Sequence, residues 1–367
     1  MNEIQRLIHE MCPDGVPMVA LGEVCEIKNG KDYKHLSPGN IPVWGTGGIM
    51  TYVDQYAYNG PSVLLPRKGS IDKVYYSEGP VWTVDTLFYT IINESIINPK
   101  YLYAVISMQD LRALDTSKGN RPSLTQTVLN KIQIPLPPLP IQQRIVEILD
   151  KFTSLVSSLD SEIALRQKQY EYYRNKLLSF EEGEEGVEWK KLSDVCIVIN
   201  GRAYKQSELL DKGPYRVLRV GNFFSNDSWY YSDLELESKY YCVNGDLLYA
   251  WSASFGPHIW KEEKVIYHYH IWKLECQEPL DKKFMFYWLQ SDNMTSQVSS
   301  EKHGATMAHL TKAMMEDLIL PIPSLDRQRS IVRTLDTFES LLTNLKKERE
   351  LRQKQYEYYR EKLLTFA

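Results

Sequence analysis

The residues that come nearest to a catalytic spacing are Pro13-Asp14 with Glu26-Ile27-Lys28, which fit the loose Pro-Asp…Glu-x-Lys pattern of metal-dependent nucleases. When the chain is compared with itself, Ile197 and Ile199 stand where Glu26 and Lys28 stand, so the framework does not require the acid or the lysine. Gly45-Thr46-Gly47-Gly48 lacks the lysine and hydroxyl of a phosphate-binding loop and reads as a turn. Asn98-Pro99-Lys100-Tyr101 looks like an amino-methyltransferase tetrapeptide, but it lacks the second proline and no glycine-rich cofactor loop accompanies it. His268-Tyr269-His270 would place two imidazoles on one face of a strand. With no cysteine or carboxylate at metal spacing, a packed or surface-facing role is the better reading. No catalytic constellation and no metal site emerge.

Composition narrows the class further. At 367 residues the chain has room for two or three domains, each with its own core. Five cysteines without a Cys-x-x-Cys pair imply reduced thiols, and Cys25 and Cys196 match in the internal comparison as small buried residues. No amino-terminal apolar run and no span of membrane length is present, so a cytoplasmic location is expected. The net charge of −4 carries no global mark of a nucleic-acid binder. Locally, residues 121–180 hold eight basic against five acidic side chains, whereas 181–188 hold five acids and no base.

The element that must position any site is a duplication. Leu165 to Arg174 recurs word for word as Leu351 to Arg360, and residues 135–180 match 321–366 at 27 of 46 positions. The strands that open each half align at a different offset, through Leu21/Leu192, Cys25/Cys196, Asn29/Asn200, Gly30/Gly201, Tyr33/Tyr204 and Lys34/Lys205. The order is variable domain, helical segment, variable domain, helical segment, with boundaries at 1–133, 134–180, an acidic linker at 181–188, 189–319 and 320–367. Residues 1–11 add a short amphipathic helix, expected to pack near the far end of the second long helix.

Apolar residues in the helical segments recur at steps of four and three: Ile145, Leu149, Phe152, Val156, Leu159, Ile163, Tyr170, Tyr173, Leu177 and Phe180, and again from Ile331 to Phe366. Two such seams in one chain can satisfy each other as an antiparallel intramolecular coiled coil, about 60 Å long at 1.5 Å per residue. Arg166 and Arg352 interrupt the seam at the same heptad position. Their stems can pack while the guanidiniums reach solvent; the sharper reading is that they fix helix register or bind a partner. In the variable domains Val63–Leu65, Val81–Val84, Leu87–Ile92, Asp246–Tyr249 and the alternating run Val265–Leu274 read as strands. The fold class is α+β: two mixed α/β domains separated by two long antiparallel helices, with pseudo-two-fold symmetry.

The segment Ile134-Pro-Leu-Pro-Pro-Leu-Pro-Ile-Gln-Gln-Arg-Ile-Val-Glu-Ile-Leu149, its partner from Leu320 to Val332, the repeated helix ends, Arg67-Lys-Gly-Ser70 and Gly245-Asp-Leu-Leu248 together resemble the specificity subunit of Type I restriction-modification systems, over residues 15 to 366. The resemblance implies two target-recognition domains that read the halves of a bipartite, asymmetric site on double-stranded DNA. It implies a chain with no enzymatic activity and no cofactor of its own. The expected partners are two modification (methyltransferase) subunits carrying S-adenosylmethionine and restriction/translocase subunits using ATP and Mg, with no membrane. Contact chemistry, in which Arg and Lys meet guanine edges or phosphates and Asn and Gln meet adenine, nominates Lys31, Lys34, Thr46, Arg67, Lys68, Ser70, Asn120 and Arg121 in the first domain. In the second it nominates Arg202, Lys205, Arg219, Asn222, Trp251, Ser252, His258, His303 and His309. Aligned at an offset of 184, Trp251 and Ser252 fall opposite Arg67 and Lys68, so similar scaffolds carry altered tips. A protein-binding adaptor and a self-contained nuclease are the competing readings.

Overall fold

The computed structural model describes residues 3–115, 122–223, 226–252, 254–300 and 310–366. The chain divides into two compact units, Met1–Asp160 with Lys347–Ala367, and Ser161–Lys346. The two units repeat one topology.

In the first unit a four-stranded antiparallel sheet runs in the order Cys25–Asn29, Leu87–Ile92, Ser62–Pro66, Tyr75–Ser77. A three-stranded sheet runs Gly48–Val53, Pro38–Gly45, Trp82–Thr83, its last pair parallel. The second unit answers with Cys196–Asn200, Ile271–Cys276, Leu247–Ser252, Ser254–Ile259, and with Tyr230–Ser232, Tyr215–Leu218, Val265–Tyr267, Tyr241–Cys242. There Val217 pairs in parallel with Ile266 as Val43 pairs with Trp82. The continuous apolar runs Val63-Leu64-Leu65 and Leu247 to Ala250 are buried on both faces, which is why they do not alternate.

One strand expectation fails. The run Val265–Leu274 is two strands in different sheets, Val265–Tyr267 and Ile271–Cys276, and His268, Tyr269 and His270 form the turn between them rather than a strand face. The side-chain alternation continues through the turn, so periodicity alone could not see the break. The expected strand Val81–Val84 likewise shortens to Trp82–Thr83. At the mouth of each turn a glycine is obligatory. A Cβ on Gly30 would lie 2.0 Å from the Val84 carbonyl oxygen, and one on Gly201 2.3 Å from that of His268.

The long helices span Leu139–Leu177 and Leu325–Leu364. Within the first unit they pair antiparallel, Phe152 stacking on Tyr359 at 5.3 Å and Arg349 Nε donating to Asp160 at 3.0 Å. Within the second, Tyr173 stacks on Phe338 at 5.5 Å and Arg327 lies over the Phe180 ring. The helix from Glu3 to Met11 places Ile4 in one core with Leu363 and Leu364, though Met11 at its end is exposed. The acidic joint is tied down by Arg327, whose guanidinium meets Glu184 at 2.7 Å and holds its carboxyl below the usual range. Cys25 and Cys196 are buried free thiols, and burial pushes the Cys25 thiol up to about 12. No helix among the described residues is long and apolar enough to cross a membrane.

The joint between each sheet domain and its long helix is built twice from the same parts. Gln142, fully buried, donates through Nε2 to Ile96 O (3.0 Å) and Pro137 O (2.7 Å) and accepts from Asn98 N (2.7 Å). Gln328, also fully buried, donates to Pro279 O and Pro323 O (2.8 Å each) and accepts from Asp281 N (2.8 Å). Each glutamine thereby staples the start of a long helix to the loop before a short domain helix. Those loops end in caps: Asn98 Oδ1 accepts from Lys100 N and Tyr101 N, and Asp281 Oδ1 from Lys283 N and Phe284 N. Lys100 then reaches Asp150 at 3.0 Å, and Lys283 reaches Asp336 at 2.5 Å. Asn98-Pro99 is thus a helix start, with the Tyr101 hydroxyl buried on Pro135 O.

Candidate nucleic-acid interface

The turns Val84-Asp85-Thr86 and His268-Tyr269-His270 are one backbone structure carrying different side chains. Leu87 N donates to Val84 O at 3.0 Å, and Ile271 N to His268 O at 2.9 Å. Val84 N reaches Trp44 O and His268 N reaches Leu218 O, both at 2.9 Å. Arg67 N donates to Thr86 O at 2.9 Å where Trp251 N donates to His270 O at 3.2 Å. Even the side chains agree in function: Arg67 Nη1 donates to Asp85 O at 3.2 Å and Trp251 Nε1 to Tyr269 O at 2.9 Å. Guanidinium and indole therefore perform the same backbone task in the two domains.

Several nominated residues gather at these turns. In the first domain, Lys31 N donates to Thr83 O and Lys68 N to Thr86 O, so both flank the turn, and both side chains are exposed. Thr46 is two residues past Trp44, its carbonyl held by the Tyr75 hydroxyl at 2.8 Å, and its Oγ1 lies by Gly69, just before exposed Ser70. Lys34 is exposed farther along the loop that starts at Lys31. Asn120 and Arg121 lie outside the described residues, as do His303 and His309.

The second domain is more aromatic and its cations are more engaged. Arg202 forms a two-pronged pair with Glu208 (2.9 and 2.8 Å), which pulls that carboxyl down to about 2, and it stacks over Tyr204. Lys205 is exposed, its backbone N–H held by Glu208 at 2.8 Å. Arg219 lies over Tyr230 and near His268. The Asn222 amide holds its own loop, accepting from Arg219 N and donating to Asn226 O and Ser228 O, so its hydrogen-bonding capacity is spent locally. Trp251 stacks on Trp272 at 5.6 Å, Ser252 is half-buried, and His258 stacks flat on Phe223 at 4.1 Å.

Burial, with His270 and Arg219 nearby, lowers His268 from 6.5 to about 4. In the unfolded chain this histidine binds a proton more readily than in the fold, so its neutral form supports the fold above pH 6.5, and that support drains away as pH falls through 6.5 toward 4. Chemical denaturation at pH 7 and pH 4.5 should show a larger acid loss in the wild type than in His268→Gln. Equal losses would contradict this.

Arg166 and Arg352 are half-exposed and both bond to an acid and a glutamine along their own helices, though Arg166 does so through Nε and Nη1 and Arg352 through Nη1 and Nη2, its Nε being buried without a partner. Arg166 donates to Glu162 (2.7 Å) and Gln169 (2.9 Å); Arg352 donates to Glu348 (3.4 Å) and Gln355 (3.0 Å). The nuclease-like residues are not drawn together. Asp14 lines a groove with Met11 and Leu139, Glu26 lines another with Gly22 and Asn130, and Lys28 is bound to Glu26. No group of three His, Cys, Asp or Glu among the described residues could hold a metal ion. Neither spacing nor composition singles out Gln142, Gln328, Asp85 or Tyr269. The repeat held a signal for the first two, since Gln142 and Gln328 stay identical while their neighbours Gln143 and Arg329 differ.

The family model for the Type I restriction modification DNA specificity domain matches twice, over residues 13–165 and 184–353. The chain is 30% identical over 352 residues to a putative type I restriction enzyme specificity subunit of Haemophilus influenzae, covering 90% of this chain and 89% of that one. It is also 30% identical over 261 residues to a type I restriction enzyme specificity subunit of Escherichia coli, covering 64% of this chain and 63% of that one. Among solved structures, the S subunit of a Type I system from M. genitalium superposes with a TM-score of 0.61 at 16% identity, over 95% of this chain and 96% of that one. A chain from a study of type I R-M complex assembly gives 0.63 at 18%, over 96% and 97%. With both halves matched and the shared topology repeated in each, the chain belongs to the Type I restriction-modification DNA specificity family.

Proposed function

We propose that this chain is a non-catalytic DNA-recognition subunit that binds a bipartite, asymmetric duplex target and directs adenine methylation and restriction by partner subunits in a cytoplasmic complex. The observation that carries the reading is the pair of turns: the same three backbone hydrogen bonds and one side-chain bond surround Val-Asp-Thr in one domain and His-Tyr-His in the other. A scaffold kept constant while its displayed side chains change is what two readers of different half-sites require. The five segments 1–133, 134–180, 181–188, 189–319 and 320–367 then serve as reader, spacer helix, joint, reader and spacer helix, and helix length sets the interval between half-sites. Lys31, Lys34, Thr46, Arg67, Lys68 and Ser70 are assigned to the first half-site, and Arg202, Arg219, Trp251 and Ser252 to the second.

The verbatim decapeptides support two copies of one partner. Leu165 and Leu351 are 64% and 56% exposed, and Tyr172 and Tyr358 are 59% and 57% exposed. Apolar side chains left bare twice in the same sequence fit two identical modification subunits, with Arg166 and Arg352 beside them. Those subunits bring S-adenosylmethionine, and restriction subunits bring ATP and Mg. Selection from a randomised duplex library by the chain assembled with modification subunits should enrich one two-part sequence with unlike halves. Enrichment of nothing, or of a single uninterrupted word, would refute the proposal.

Net acidity makes a further expectation. Phosphate neutralisation supplies most non-specific affinity, and a chain of charge −4 supplies little of it. The isolated chain should bind the selected duplex at least about tenfold more weakly than the assembled complex at equal salt. Equal affinities by fluorescence anisotropy would show that no partner adds to the DNA-binding surface.

A further inference from the structure

We infer that the middle residue of the repeated turn is a base-reading position, with Asp85 accepting a hydrogen bond from the exocyclic amino group of a cytosine in the first half-site and Tyr269 standing at the equivalent position for the second. The inference rests on the DNA-reading function proposed above and names the residue that does the reading.

The geometry isolates this position from its neighbours. The residue before it is fixed through its N–H to Trp44 O or Leu218 O, and the residue after it through its carbonyl to Arg67 N or Trp251 N. Its own carbonyl is held from the side by the Arg67 guanidinium or the Trp251 indole. The middle residue is the most exposed of the three in each turn. Asp85 is exposed, and Tyr269 is 39% exposed. A backbone clamped by four bonds that recur in both domains, with a fifth from Tyr269 N to Arg202 O in the second, around one displayed and dissimilar side chain is a presentation device.

The chemistry selects the base. An ionised carboxylate only accepts hydrogen bonds and is repelled by phosphate, while exposed Lys31 and Lys68 flank the turn and are suited to the backbone. Asp85 is thereby left for a base edge. In the major groove guanine offers N7 and O6, both acceptors, and adenine places acceptor N7 beside its amino group. Thymine offers an acceptor and a methyl group. Cytosine's amino donor has C5–H on one side and only the paired guanine O6 on the other, whereas adenine's lies between two acceptors, N7 and the thymine O4, so a carboxylate favours cytosine.

The test uses the full chain assembled with modification subunits and a duplex library randomised across both half-sites. Wild type should enrich cytosine at one position of the first half-site. Asp85→Asn, which preserves shape but adds a donor, should lower that preference at least about tenfold and shift it toward adenine, whose N6 and N7 suit an amide. Asp85→Glu should keep cytosine, and neither variant should alter the second half-site or the melting temperature. If wild type enriches a two-part sequence and Asp85→Asn enriches the same sequence at every position, this inference falls and the proposed function stands. If wild type enriches no two-part sequence, both fall.

Discussion

Replacing Gln142 by leucine should lower the unfolding temperature of the first unit, and Gln328→Leu that of the second, each more than any surface change in the same helix. Leucine fills similar space but strands Asn98 N–H with the Ile96 and Pro137 carbonyls in one case, and Asp281 N–H with the Pro279 and Pro323 carbonyls in the other. Buried polar groups left without partners cost about 1–3 kcal/mol each, so a net loss of about 3 kcal/mol is expected after partial relaxation. For a unit of this size that is a fall of roughly 6–12 °C by calorimetry. Gln143→Leu, which removes only an exposed hydrogen bond from Asn98 Nδ2, should cost no more than about 1 kcal/mol. A silent Gln142→Leu would mean that the staple does not hold the domain to its helix.

Leu165→Glu with Leu351→Glu should strip the chain of modification subunits while leaving its fold intact. Both leucines lie largely in water already, so a charge there disturbs little when the chain is alone. Buried beneath a partner it would be an unpaired carboxylate, a loss of several kcal/mol per site and hence of more than about a hundredfold in affinity. Mass measurement of the assembled complex should show two modification subunits on wild type, one on either single variant and none on the double. Wild-type stoichiometry from the double variant would remove these faces as docking sites.

The long helices were legible because heptad periodicity is local and was written twice. The seam residues Phe152 and Tyr173 do meet aromatic partners, at Tyr359 and Phe338. The amino-terminal helix was readable for the same reason, through Ile4. The turn at His268–His270 was not, since apolar and polar residues keep alternating through it while the backbone leaves one sheet for another. Arg202 and Asn222 show a second limit, since their partners in the fold, Glu208 and the Asn226–Ser228 loop, are set by tertiary folding rather than by spacing. Apart from their identity across the repeat, nothing in the sequence sets the buried glutamines apart from surface residues, because their three hydrogen bonds come from tertiary folding.

The most direct measurement is a genome-wide map of methylated adenine in cells that carry the modification subunits, with and without this chain. Methylation should appear only with the chain, at one motif of two unlike halves separated by a constant interval. Methylation that is indifferent to the chain, or that falls on a motif with identical halves, would contradict it.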